Sequence, residues 1–92
     1  MPQGTVTVAA RAGLHARPAA LLVQAAARQA SAVRIGRPGQ PPVDAKSILA
    51  VLSLAIACGE EVRVETEGPA ADDALAELIA LLQVDPDAAA LA

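Results

Sequence analysis

The segment Glu61-Val62-Arg63-Val64-Glu65-Thr66-Glu67 sets Val62 and Val64 on one side of an extended chain and charges on the other. A strand of this kind has one buried face and one wet face. Sheets made from such strands need cover on one side only, which favours antiparallel pairing beneath a single layer of helices. The same alternation recurs at Thr5-Val6-Thr7-Val8 and at Ala32-Val33-Arg34-Ile35. Gly36-Arg37-Pro38-Gly39-Gln40-Pro41-Pro42 is turn chemistry throughout. Val43-Asp44-Ala45 after it predicts a short third strand at the sheet edge.

Helical spacing fills the gaps between these strands. Pro18 suits a first helical turn, where a missing N–H costs nothing, and Ala19 to Gln29 is rich in Ala and Leu. Leu22, Ala25, Ala26 and Gln29 share a face that Leu21 widens. Ser47 is an N-cap candidate for a short helix from Ile48 to about Ala55, in a region that Gly59 closes. Gly68-Pro69 introduces a last helix, with Asp72 and Asp73 suited to the positive end of its dipole. Leu75, Leu78, Ile79 and Leu82 then repeat at i, i+3, i+4 and i+7, and Asp85-Pro86 ends the pattern. The order β-α-β-β-α-β-α predicts an α+β open-faced sandwich: a four-stranded antiparallel sheet with three helices on one face. The 92 residues suit a single domain (1–92), with a core over about 4–84 and an Ala-rich C-terminal tail, 85–92, that frays.

Hydrophobic residues make up 54% of the chain, yet Phe, Tyr and Trp are absent, so Val, Ile, Leu and Ala must build the core. Without rings to stack on bases, with a net charge of −3 and scattered arginines, the chain is a poor partner for nucleic acid. The longest apolar run, Ile48 to Cys58 interrupted by Ser53, is too short to cross a bilayer. The first residues lack the basic and apolar regions of a secretory signal. A cytoplasmic protein needing no metal or cofactor is expected. Cys58 has no second cysteine to pair with and follows an apolar helix, so it is expected to be a small buried hydrophobe. Glu60-Glu61, Glu65 and Glu67 are expected on a solvated sheet face.

Gly13-Leu14-His15-Ala16-Arg17-Pro18-Ala19-Ala20 joins a loop to the start of the first helix. His15 falls near the N-cap, where the backbone N–H groups of Ala16 and Arg17 lack helical partners and, with the helix dipole, favour a phosphate. An ordinary imidazole keeps much of its population neutral and nucleophilic near pH 7, and can capture a phosphoryl group covalently. Arg17 adds a guanidinium that forks onto phosphate oxygens. Gly13 is expected to let the backbone approach a partner closely. A plainer reading makes His15 a helix cap and Arg17 a solvated charge.

The segment from Gly13 to Ala19 resembles the active-site signature of HPr, the histidine-containing phosphocarrier of the sugar phosphotransferase system. Ala45-Lys46-Ser47-Ile48-Leu49 and Val51-Leu52-Ser53-Leu54 resemble the same family's regulatory-serine segment, and the likeness runs from about Val6 to Leu82. It implies the HPr-like fold, and a phosphoryl carrier instead of a stand-alone enzyme. On this likeness, His15 accepts phosphate at Nδ1 from enzyme I, charged by phosphoenolpyruvate, and passes it to the IIA components of sugar permeases. Arg17 takes the place of the arginine that supports transfer.

The resemblance also makes Ser47 a site for HPr kinase/phosphorylase, read by a carbon-repression regulator, beside its structural role as a cap. Ile48, Leu49 and Leu52 become an exposed docking patch, while Val51 and Leu54 belong to the core. A monomer is expected. Two features depart from familiar members: the Pro-rich loop Arg37 to Pro42 is one residue longer, and the aromatics are missing. Competing readings are a regulatory module of the same fold controlled at Ser47, a carrier of the nitrogen or dihydroxyacetone-kinase branch, and a generic α+β ligand-binding domain. The last lacks a polar cluster to line a pocket.

Overall fold

The computed structural model describes residues 2–11 and 13–85. In chain order the elements are β1 (Gln3–Thr7), α1 (Ala16–Ala27), β2 (Ala32–Gly36), β3 (Val43–Asp44), α2 (Ile48–Ser53), β4 (Glu61–Glu67) and α3 (Ala71–Leu82). The sheet order is β1-β4-β2-β3 and every neighbouring pair is antiparallel. β1 and β2 therefore run parallel to each other with β4 between them, and α1 is the crossover that joins them. The expected β-α-β-β-α-β-α order and one-sided sheet are both present.

Register aligns the apolar sets. Val6 lies opposite Val62, and Val64 is flanked by Gly4 and Ile35. These side chains meet Leu22, Ala25 and Ala26 of α1, Val51 of α2, and Leu78 and Leu82 of α3 in one buried cluster. Fully burying a Val or Leu contributes roughly 1.5–3 kcal/mol, so aliphatic side chains fill this core without rings. Gly4 belongs to the inner face because α3 lies close there: a Cβ at that position would come within 2.7 Å of Ile79 Cδ1. Thr66 is the third inward residue of β4, and its hydroxyl donates to the Ala71 carbonyl at 2.7 Å, tying the strand to the start of α3. β3 is an edge strand, as Pro41-Pro42 suggests, and β1 is the other. The tail from residue 86 lies outside the described residues.

Three expectations need correction. α2 stops at Ser53, two residues before Ala55, because Ala55 takes φ 52° and reverses the chain. That turn swings Ile56 fully into the core and carries the next residues out again. Cys58 is accordingly exposed on a turn, not buried, with its Sγ 3.9 Å from the Ala9 carbonyl oxygen. The acidic residues of β4 are not a uniformly solvated face either. The Glu65 side chain is only 12% exposed and pairs with Arg63 at 2.9 Å, while Glu60 precedes the strand and faces Arg37.

Candidate functional site

The end of β1 leads into Val8 and Ala10, both buried, and then into a turn in which the Gly13 N–H donates to the Ala10 carbonyl at 2.9 Å. Gly13 has φ 67°, and a Cβ there would collide with the Ile56 carbonyl and lie 2.9 Å from Ala57 Cα. The close approach that demands this glycine is therefore to the chain's own 56–57 segment. Leu14 follows, 1% exposed, and its N–H donates to the Ile56 carbonyl at 2.9 Å. On the other side of the loop, Arg11 pairs with Asp85 at 3.0 Å, and the Ala9 N–H donates to the Leu82 carbonyl at the end of α3.

One residue beyond the buried Leu14, the chain turns outward. His15 is the N-cap of α1, with extended backbone (φ −128°, ψ 160°) and no side-chain capping bond. Its imidazole is exposed, and so are Ala16 and Arg17. A histidine serving as a structural cap would accept from a first-turn N–H; this one leaves those donors free for another acceptor. The first-turn N–H groups of Ala16 and Arg17 have no helical carbonyl to bond, and Pro18 has no N–H. Arg17 forms no ion pair among the described residues, so its guanidinium is uncommitted. Ala16 opens the helix with φ 49°, a left-handed conformation that costs a non-glycine residue about 1–2 kcal/mol. Buried Pro18 and Ala19 hold the first turn against the core beneath it.

Comparison with known proteins decides what this arrangement belongs to. Residues 2–84 match the family model of the PTS HPr component phosphorylation site. The chain belongs to the HPr family. That family is the one of the phosphocarriers of the phosphotransferase system. A phosphocarrier protein HPr of Treponema pallidum is 47% identical over 86% of this chain and 89% of that protein. The HPr-like protein Crh of Bacillus subtilis is 43% identical over 90% of this chain and 96% of its own. The crystal structure of HPr from Bacillus anthracis superposes with a TM-score of 0.84 at 44% identity, covering 89% of this chain and 96% of that one.

The remaining sequence-nominated residues lie on and around α2. Ser47 caps it, its Oγ accepting from the Ala50 N–H at 3.3 Å. Ile48 and Leu49 are 39% and 77% exposed, whereas Leu52 is half-buried and packs on the core beside Val51 and Leu54. The two ends of α2 face different ends of α1. At its start, Lys46 Nζ donates to the Gln29 carbonyl just beyond α1; past its end, Ile56 meets Leu14 just before α1. The helices therefore run antiparallel. Ser47 opens α2 at the end away from the His15 loop, separated from its last turn by about 9 Å of helical rise.

Two residues of this region have no signature in the sequence. Arg37, in the Pro-rich loop, reaches Glu60 with two bonds, Nε to Oε1 at 2.9 Å and Nη2 to Oε2 at 3.1 Å. The same guanidinium donates to the Leu54 carbonyl at 2.8 Å and to that of Ala55 at 3.4 Å. The Ala57 N–H donates to Glu60 Oε2 at 2.6 Å. The Arg37 bond, and after it the Ala57 N–H, hold the Glu60 carboxyl below the usual carboxylate range. Among the described residues no helix is long and apolar enough to cross a membrane, and no group of acidic, His and Cys side chains could hold a metal.

Proposed function

We propose that His15 is the phosphoryl acceptor through which this carrier works, taking phosphate from enzyme I and giving it to IIA components of sugar permeases in the cytoplasm. The observation that carries this reading is the exposed, uncapped imidazole of His15 beside free first-turn N–H groups and an uncommitted Arg17. Phosphoryl transfer demands little covalent chemistry of the protein beyond a placed nucleophile and compensating charge. The lone pair of Nδ1 attacks phosphorus while Nε2 carries the ring proton, so the attacking nitrogen has none to lose. As the N–P bond forms, the bond from phosphorus to the donor breaks and its electron pair returns to the donor. The N–H groups of Ala16 and Arg17, with the Arg17 guanidinium, balance the phosphate oxygens. None of these donors bonds the ring nitrogen, so the group can leave again toward the next acceptor.

Ile48, Leu49 and Leu52 form the docking surface in this reading. A small apolar patch suits brief encounters with successive partners, and the carrier acts as a monomer. Ser47 is the regulatory site for HPr kinase/phosphorylase, with a carbon-repression regulator reading the product. Its hydroxyl opens a helix, where a phosphate is tolerated by the fold. Its distance from the His15 loop means that such a phosphate acts on docking at the start of α2, not by touching the imidazole.

Incubation with phosphoenolpyruvate and enzyme I should add one acid-labile phosphoryl group to the intact chain, and His15→Ala should abolish the gain. No gain under conditions that label a control HPr overturns the proposal. The likeness to Crh supports a second reading, a regulator controlled at Ser47. Growth assays separate the two: a carrier loses sugar uptake with His15→Ala, a regulator loses repression with Ser47→Ala.

A further inference from the structure

The Pro-rich loop between β2 and β3 is the feature that the carrier chemistry leaves unused, and its first residue, Arg37, spans the connection from α2 to β4. Leu54 is the C-cap of α2, so its carbonyl is among the acceptors that a helix end leaves without internal partners, and the Ala55 carbonyl lies just beyond it. Arg37 satisfies both, and with its remaining donors grips Glu60 at the other end of the connection. Glu60 in turn accepts from the Ala57 N–H. A single planar guanidinium thereby closes residues 54–60 into a fixed loop. That loop holds Ile56, whose carbonyl fixes Leu14 and crowds Gly13. The backbone of residue 60 is anchored too, since the Val8 N–H donates to the Glu60 carbonyl at 2.9 Å and the Gly59 N–H to the Val8 carbonyl at 2.9 Å.

From these contacts we infer that Arg37 and Glu60 are positioning residues for phosphoryl transfer: their pair holds the 54–60 loop in the shape that places Leu14, and through it the His15 imidazole at the head of α1. This rests on His15 being the acceptor. The pair touches neither the imidazole nor the incoming phosphate; it acts through the Ile56 carbonyl. Its side chains are about one-third exposed, at 32% and 34%, so it trims the loop from the surface without being part of the core.

The test uses the full chain and three variants: Arg37→Gln, Arg37→Lys, which keeps the charge but loses the fork, and Glu60→Gln, which keeps the shape. In amide hydrogen exchange, the Leu14 N–H should exchange about tenfold faster in both Arg37 variants, while the Val64 N–H in the central strand keeps its rate. In steady-state phosphorylation by enzyme I with the carrier as varied substrate, kcat should fall roughly three- to tenfold, with Glu60→Gln intermediate. A purely structural role lowers the folded concentration instead, raising apparent KM at constant kcat and speeding Val64 exchange with Leu14. That pattern, or an unchanged Leu14 rate, or faster Leu14 exchange with unchanged kcat, overturns the inference. A wild-type chain that enzyme I leaves unlabelled sinks the His15 reading itself, which this control separates from a failure of the clamp.

Discussion

The N–H of Leu14 donates to the carbonyl of Ile56 at 2.9 Å, so the residue before His15 is fastened to the residues just past the end of α2. These positions lie 42 residues apart in sequence, and the bond makes the His15 loop and the segment that follows α2 neighbours in one structure. Leu14 and Ile56 are both essentially inaccessible, at 1% and 0%. An N–H and a carbonyl buried together lose their water and must find each other, since an unmade bond there costs about 1–3 kcal/mol. His15 inherits its outward direction from that anchor.

Gly13→Ala is the sharpest probe of the anchor. The added methyl must occupy space held by the Ile56 carbonyl, and φ 67° is unfavourable for any side chain. Strain and overpacking together should cost roughly 2–4 kcal/mol. Urea denaturation should show that loss. A variant within about 0.5 kcal/mol of wild type would mean that the loop and the 56–57 segment separate easily.

Ala16→Gly should move stability the other way. A glycine in an ordinary first turn gives up several tenths of a kcal/mol, but here it relieves φ 49° at Ala16. Relief of about 1–2 kcal/mol against an entropic loss of about 0.4–1 leaves a gain of roughly 0–1.6 kcal/mol. The denaturation midpoint should rise, and a fall as large as that of a normal helix glycine would contradict the left-handed start.

Ser47→Ala removes the N-terminal side-chain cap of a six-residue helix, and should cost about 1 kcal/mol. Because Ser47 stands at the far end of α2 from Ile56, phosphorylation of His15 by enzyme I should continue at close to the wild-type rate. A large loss of labelling in a folded variant would show that the two sites communicate directly.

Acid should reveal the Arg37–Glu60 pair. Glu60 is held below the usual carboxylate range in the folded chain, mainly by its bond with Arg37. A depressed carboxylate contributes stability that is fully present above its unfolded value and is lost as pH falls through the folded value. Wild type should therefore melt higher than Glu60→Gln at pH 7, and the difference should shrink as pH drops below the ordinary glutamate range, near about 4.3. A difference independent of pH between 7 and 3 would remove the charge from the account.

Much of this was legible in the sequence because it is local. Period-two runs mark strands with one apolar face, and Ser47 and Pro18 mark helix starts within a few residues. His15 with Arg17 and Pro18 describes a candidate site that closes on itself over four positions. What escaped the sequence depends on where distant segments meet. Cys58 looks like the tail of an apolar helix until Ala55 reverses the chain and Ile56 takes the core position. Glu60 and Glu61 look equivalent, yet only Glu60 meets an arginine 23 residues away. Gly13 signals close approach by its type, but not that the approaching backbone is the chain's own.

Leu49 offers a test of docking that leaves the fold alone. It is 77% exposed and contributes little to the core, so Leu49→Asn should change stability by no more than about 0.5 kcal/mol. If the start of α2 receives partners, the same change removes apolar contact from a small interface, where one well-placed side chain is worth roughly 1–2 kcal/mol. Apparent KM with enzyme I should rise about five- to thirtyfold while kcat holds, the reverse of the pattern expected for Arg37→Gln. Half-buried Leu52 is the control, since Leu52→Asn removes core packing as well and should lower both stability and affinity. An unchanged KM in Leu49→Asn would move the docking surface away from α2.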